Sequence, residues 1–227
     1  EGCLVNPRRP APVWGRHLSG HYMPFAIYRT LAQVIPEKIK AESGSPLWNV
    51  YFKGTDRHDQ KFVRMFFMNG GHGARPDRDG PSCLSFPSNV ANTPIEQFEN
   101  TTPMIVREKA LIPDSGGAGK FRGGLAQRLS FEAASPDPIT FMIRHERVVH
   151  PPGGLLGGQA GACGVDKVNG EVIPSKTIGT LKRGDVVTFE TPGGGGMYPP
   201  TQRDPQALAR DIADGLVTQE AAENRYR

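Results

Sequence analysis

The chain has 227 residues, enough to bury a substantial core in one domain or two small ones. Its 28 glycines and 21 prolines are too many for a helical bundle, while recurrent apolar runs exclude a disordered chain. The net charge of +4 originates in residues 1–80, which hold 12 Lys/Arg against 7 Asp/Glu; so small a surplus, interleaved with acids, argues against nucleic acid and fits a soluble surface or a subunit contact.

Cys3, Cys83 and Cys163 are far apart and form no metal-ligand pattern, which points to a reduced, cytoplasmic protein rather than a disulfide scaffold. No stretch approaches the ~18 consecutive apolar residues of a membrane span, and no signal-peptide pattern opens the chain, so no membrane partner is expected. The sequence starts at Glu1-Gly2-Cys3 without an initiator Met, as a fragment or a processed chain would.

Residues 1–24 are rich in proline and glycine and read as an extended opening segment. Phe25, Tyr28, Leu31, Ala32 and Ile35 then recur at helical spacing, predicting one amphipathic helix from Phe25 to about Lys40 that Pro36 ends or kinks. Leu47–Lys53 and Lys61–Met68 are aromatic-rich strand candidates separated by a polar loop. Thr93-Pro94-Ile95-Glu96 has the form of a capping box that starts a short helix ending near Asn100. Further strands are expected over Met104–Ile112, Gly124–Ala133 and Pro138–Val149. Asn169-Gly170 marks a hairpin between Gly164–Val168 and Glu171–Ile173, and Ile178–Leu181 with Asp185–Glu190 reads as another pair. Asp204 and Thr218 are caps for two closing helices, with Gly215 between them. The fold class is therefore α+β: a strand-rich, mainly antiparallel β body, an N-terminal amphipathic helix and a short C-terminal helical pair. Its segments are residues 1–100, containing the glycine-rich 70–82 loop, a β-rich 101–200, and the helical pair 201–227.

Pro113 to Gly124 holds five glycines between two strands, with an acid, two bases and a hydroxyl among them. A phosphate loop would need glycine at Asp114 and a hydroxyl at Phe121, and a dinucleotide loop would lead into a helix rather than a strand. A structural turn, with Asp114 and Ser115 bonding the local backbone, is the expected role. His145 and His150 are five residues apart in a strand-like stretch, and His17 and His21 lie beside Ser19-Gly20 and prolines, so neither pair is assigned as metal ligands. The 70–82 loop has more chemical character: Gly70 and Gly71 permit close backbone approach, and His72, Arg75 and Asp79 bring acid, base and anion-binding groups together.

Several ordered segments together resemble one family. Asn92–Glu96, Pro113–Gly124, Pro151–Gly158, Thr191–Gly196, Glu1-Gly2 with Asn6-Pro7, Gly70–Arg75 with Asp79-Gly80, and the Arg203-Asp204-Pro205 ending are similar to the C-terminal part of hydantoinase B/5-oxoprolinase proteins. The resemblance implies a large subunit of an ATP-dependent cyclic-amide hydrolase of the N-methylhydantoin or 5-oxoproline type. It implies a hydantoinase A-type partner that carries ATP and Mg, and a divalent metal in an N-terminal part of the same subunit that this chain lacks. Ketone carboxylases belong to the same family, and a non-catalytic assembly role is a further alternative. Activating the amide oxygen by phosphorylation makes a resonance-stabilised lactam attackable by water. Within that frame His72 and Asp79 are the candidate catalytic residues and Gly70, Gly71, Arg75 and Ser82 the candidate substrate contacts. No metal ligand is assigned here, a hetero-oligomer acting on a small molecule is expected, and the fragment alone is expected to be inactive.

Overall fold

The structure, a computed structural model, describes residues 2, 3, 5–13 and 15–227, so Glu1 of the opening motif lies outside it. Helix α1 spans Arg16–Leu31, earlier than the periodicity suggests, and buries His21 and Phe25. Pro24 sits inside it; the partner its ring denies is the Gly20 carbonyl, on the exposed side where water can substitute. A turn at Pro36–Lys38 follows, and Lys40 lies in extended chain rather than in a helix.

Strands β1 (Trp48–Thr55) and β2 (Lys61–Met68) pair in register from Trp48 opposite Met68 to Thr55 opposite Lys61. After α2 (Ile95–Thr101) come β3 (Met104–Leu111), β4 (Gln127–Ala133), β5 (Ile139–Arg144), β6 (Val165–Val168), β7 (Glu171–Val172), β8 (Lys176–Leu181) and β9 (Val186–Glu190). Helices α3 (Pro205–Ala213) and α4 (Gln219–Arg225) close the chain, capped by the Asp204 and Thr218 side chains as expected. The α2 box does not form: Thr93 Oγ1 instead accepts from the Phe67 amide at 3.0 Å, tying the helix start to β2.

All named strands pair antiparallel, in a four-stranded sheet ordered β2-β1-β5-β8 and a five-stranded sheet ordered β3-β4-β9-β6-β7. Alternate residues face one shared core: Trp48, Val50 and Phe52 from one sheet, Leu129, Phe131 and Phe189 from the other. Phe131 meets Phe52 at 5.6 Å and Phe66 at 5.0 Å across the gap, so aromatic contacts join the sheets. Asn169 and Gly170 both have positive φ, 51° and 85°, as the two-residue hairpin turn between β6 and β7 requires. β8 and β9, adjacent in sequence, do not pair. β8 bonds β5 in one sheet and β9 bonds β4 and β6 in the other, so Lys182–Asp185 carries the chain between sheets.

Beside this sandwich lies a layer made almost wholly of backbone. Segments 41–45, 70–74, 115–126 and 191–197 lie outside the sheets and are buried, apart from Lys120 and Phe121. Gly71 N–H donates to Pro192 O (2.9 Å), Gly44 N–H to Gly71 O (2.7 Å), Gly124 N–H to His72 O (2.8 Å), Gly194 N–H to Gly124 O (2.9 Å) and Gly117 N–H to Gly194 O (2.8 Å). Peptide groups thus satisfy each other across four chain segments with few side chains between them, as burial demands. A methyl at Gly71 would fall on the Gly124 carbonyl, and one at Gly194 on the His72 carbonyl.

Gly71→Ala should therefore destabilise the chain by roughly 3 kcal/mol, lowering Tm by roughly 6–12 °C. Gly170→Ala, whose position has open space and only a left-handed φ, should cost about 1 kcal/mol. Thermal unfolding of both variants checks the order; equal shifts would contradict a close-packed backbone layer.

Candidate functional site

The 70–82 loop leaves β2 through Asn69, which is clamped by Gln127 Nε2 donating to its carbonyl (2.7 Å) and by its own Nδ2 donating to Val90 O (2.8 Å). Gly70 and Gly71 then enter the backbone layer. What they approach closely is the backbone of Pro192, Gly44 and Gly124, not an open surface.

His72 is 3% exposed, and its ring is fixed on both sides. Nδ1 lies 2.9 Å from the Gly73 carbonyl, which can only accept, so the proton resides on Nδ1. Nε2 consequently offers its lone pair to Lys40 Nζ at 2.8 Å. Burial, then the Lys40 charge, push the His72 pKa down to about 4. Lys40 also lies over the Phe86 ring, 2.8 Å from its centroid. Burial and the nearby Arg75 charge lower the Lys40 pKa to about 7. Lys40 was not singled out in the sequence: it follows a helix-like run, and only the chain's return past the loop brings it to His72.

Asp79 and Ser82 face elsewhere. Asp79 holds Arg203 in a fork, Oδ1 to Nη1 at 2.9 Å and Oδ2 to Nη2 at 2.8 Å, and accepts the Arg122 amide at 2.6 Å. Arg203 continues to Asp211 on α3 (2.5 Å), and Asp211 reaches Arg122 Nη2 at 3.3 Å. Burial works against the Asp79 charge, but the Arg203 bonds and charge outweigh it and hold the carboxyl below its usual range. Ser82 Oγ accepts the Leu125 amide at 3.0 Å, which leaves its own proton to donate. The loop thus splits into a His72–Arg75 end beside Lys40 and an Asp79 end bolted to the C-terminal helices.

The Pro113–Gly124 segment is structural. Ser115 Oγ donates to Ile112 O and accepts from Ala126 N, while Asp114 accepts the Thr218 amide at 2.8 Å and so also anchors α4. His17 and His21 do share α1, with rings 6.0 Å apart; His21 Nδ1 accepts the Leu47 amide at 3.3 Å. His145 is stacked on Trp48 at 4.0 Å, with Asp166 2.8 Å from Nδ1 and Asn49 O 3.0 Å from Nε2, deep in the sandwich. Among the described residues no three His, Cys, Asp or Glu side chains converge as metal ligands would, and no helix is long and apolar enough to cross a membrane.

Two facing antiparallel sheets, adjoined by glycine backbone and bolted to a helical pair, define a specific class of domain. The family model for hydantoinase B/oxoprolinase matches residues 1–200, and the chain belongs to that family. It is 33% identical over 233 residues to an uncharacterized protein of Methanocaldococcus jannaschii, covering 100% of this chain and 40% of that one. Against caprolactamase subunit beta of Pseudomonas jessenii it is 29% identical over 246 residues, covering 100% of this chain and 42% of the relative. The nucleotide-free structure of acetone carboxylase superposes with a TM-score of 0.76 at 20% identity, covering 92% of this chain and 34% of that one, and shares the fold. The chain thus spans about 40% of the length of these curated relatives.

Because the Asp79 carboxyl is depressed in the folded state, its stabilisation is full above the ordinary carboxylate pKa of about 4 and is lost as pH falls through the lower folded value. Asp79→Asn should cost roughly 1–2 kcal/mol at pH 7, a figure reduced for partial exposure, and the difference from the parent should shrink toward pH 3. Melting curves over pH 3–7 test this; a constant offset would contradict the Arg203 assignment.

Proposed function

We propose that the chain is the C-terminal part of a hydantoinase B-type subunit that hydrolyses a cyclic amide, of the N-methylhydantoin or 5-oxoproline type, at the expense of ATP. A hydantoinase A-type partner would bind ATP and Mg, and the preceding part of the same subunit would hold a divalent metal. The observation that carries the amide reading is the full-length match of this chain to a relative named for a lactam, caprolactamase subunit beta. The acetone carboxylase likeness, at 20% identity, supports the shared fold only; a 28% identity over 196 residues to the acetophenone carboxylase delta subunit of Aromatoleum aromaticum keeps ketone carboxylation as the alternative.

The geometry supports distinct roles along the loop. Arg75, half-buried and beside Lys40 and His72, would contact an anionic group of the substrate. His72, whose unprotonated Nε2 is held by Lys40, is the acid–base candidate, and Ser82 keeps a hydroxyl proton to donate. Asp79 would orient rather than react, since both its oxygens are engaged by Arg203. Gly70 and Gly71 set the path of the backbone that presents these groups.

An assembly role rests on a separate observation. Helix α1 buries one face and exposes Met23, Ile27 and Leu31 on the other, with Val34 just beyond it. A helix apolar on both sides belongs between two layers. The occupant we assign to that face is the remainder of the subunit, which the longer relatives carry.

In the full subunit with its partner, turnover of ATP against a panel of lactams, hydantoins and ketones tests the reaction class. Arg75→Ala should lower kcat/KM for the preferred substrate roughly 10–100-fold, the worth of a hydrogen bond to a charged group. Unchanged turnover in Arg75→Ala and Asp79→Ala would remove this site from the reaction. ATP turnover stimulated by ketones alone would move the protein to the carboxylases.

A further inference from the structure

The end of the loop near Lys40 has an unbalanced charge. Lys40 and Arg75 are both half-buried, and each acts electrostatically on His72. His72 cannot balance them, because its Nδ1 proton is committed to Gly73 and its Nε2 lone pair to Lys40. The nearest acid along the chain, Glu42, is already taken: its Oε1 meets Arg29 at 3.3 Å, and its Oε2 meets Arg147 at 2.8 Å and the Gly153 amide at 3.0 Å. Phe86 packs an apolar ring against both Lys40 and His72. Among the described residues, no carboxylate pairs with Lys40 or Arg75. Two cations drawn together in a partly desolvated place, with no acid facing them, leave room for one kind of group.

We propose that Lys40, Arg75 and His72 form an oxyanion-binding site in which binding of the anion is coupled to uptake of a proton by Lys40. Arg75 supplies a planar fork, Lys40 a point charge, and the His72 ring holds Lys40 in place through Nε2. Without an anion, burial and Arg75 keep the Lys40 amine near the point of losing its proton, at a pKa of about 7. An anion restores the balance and raises that pKa, so above pH 7 the ammonium forms as the anion binds. The other charged groups around Lys40 do not compete: His72 stays neutral in this range and Glu42 is paired elsewhere. The oxyanion belongs chemically to a phosphoryl group on an activated amide or to a carboxylate of the ring-opened product. This rests on the Arg75 contact proposed above and adds Lys40, the proton linkage and the ligand class.

The test is calorimetric titration of the full subunit with sulfate and, separately, with acetate, whose charges do not change between pH 6 and 9. Buffers of different ionisation enthalpy report the protons taken up. The expected result is saturable binding that weakens about tenfold per pH unit above pH 7, with about one proton taken up at pH 8.5. Lys40→Arg should bind at pH 9 as well as at pH 6 and take up no proton; Lys40→Met should lose most of the affinity at pH 6. Tighter sulfate than acetate assigns the site to a phosphoryl group, and the reverse to a carboxylate. Failure of both anions to saturate overturns the proposal, as does parent-like proton uptake in Lys40→Arg. Because no turnover is read, such a failure is distinct from failure of the amide-hydrolase reading.

Discussion

The rest of the structure depends on the hydrogen bonds that glycine backbones make with one another between residues 41–45, 70–74, 115–126 and 191–197. A buried peptide group with no partner is costly, and ordinary side chains would hold these segments too far apart to pair. Removing the side chains lets the chain satisfy itself in a compact layer. Pro192 O receives Gly71, Gly71 O receives Gly44, and Gly195 N–H donates to Glu42 O in the same stack. The layer adjoins the ends of β2, β4 and β9 and fixes the course of the 70–82 loop.

Function follows from that fixation. The loop enters the layer at Gly70 and leaves it at Ala74, so His72 is held against Lys40 while Arg75 emerges within electrostatic reach of that lysine. At its far end Asp79 is bolted to Arg203, and Arg203 to Asp211 on α3. One short loop therefore connects a polar, partly open cluster of cations to the C-terminal helices. A ligand bound at the first end would be positioned by a scaffold with little freedom to move, which is what a reacting group requires.

Much of this was legible in the sequence where local rules dominate. β2, the Asn169-Gly170 hairpin turn and the Asp204 and Thr218 caps all follow from alternation, turn chemistry and capping. The rules failed where long-range packing decides. β8 and β9 look like a hairpin, yet each finds a better partner in a different sheet, because Leu181 and Phe189 are buried by strands distant in sequence. The Phe25 periodicity found the buried Phe25 of α1 but not the helix's start, since Pro24 is tolerated on a helix whose Gly20 carbonyl faces water, nor its whole face, since Leu31 is exposed. Of the candidate site, His72 and Arg75 could be singled out as a loop bearing base and cation. Lys40 could not, because nothing in its neighbourhood marks it until the fold brings it to His72.

Amide hydrogen exchange resolved to single residues tests the central claim most directly. If the glycine layer is the element on which the fold depends, Gly71, Gly124 and Gly194 should exchange only through global unfolding, as slowly as Leu129 and Phe131 in β4. Exchange of those glycine amides orders of magnitude faster than that of β4 would show that the layer opens independently of the sandwich, and would contradict the account.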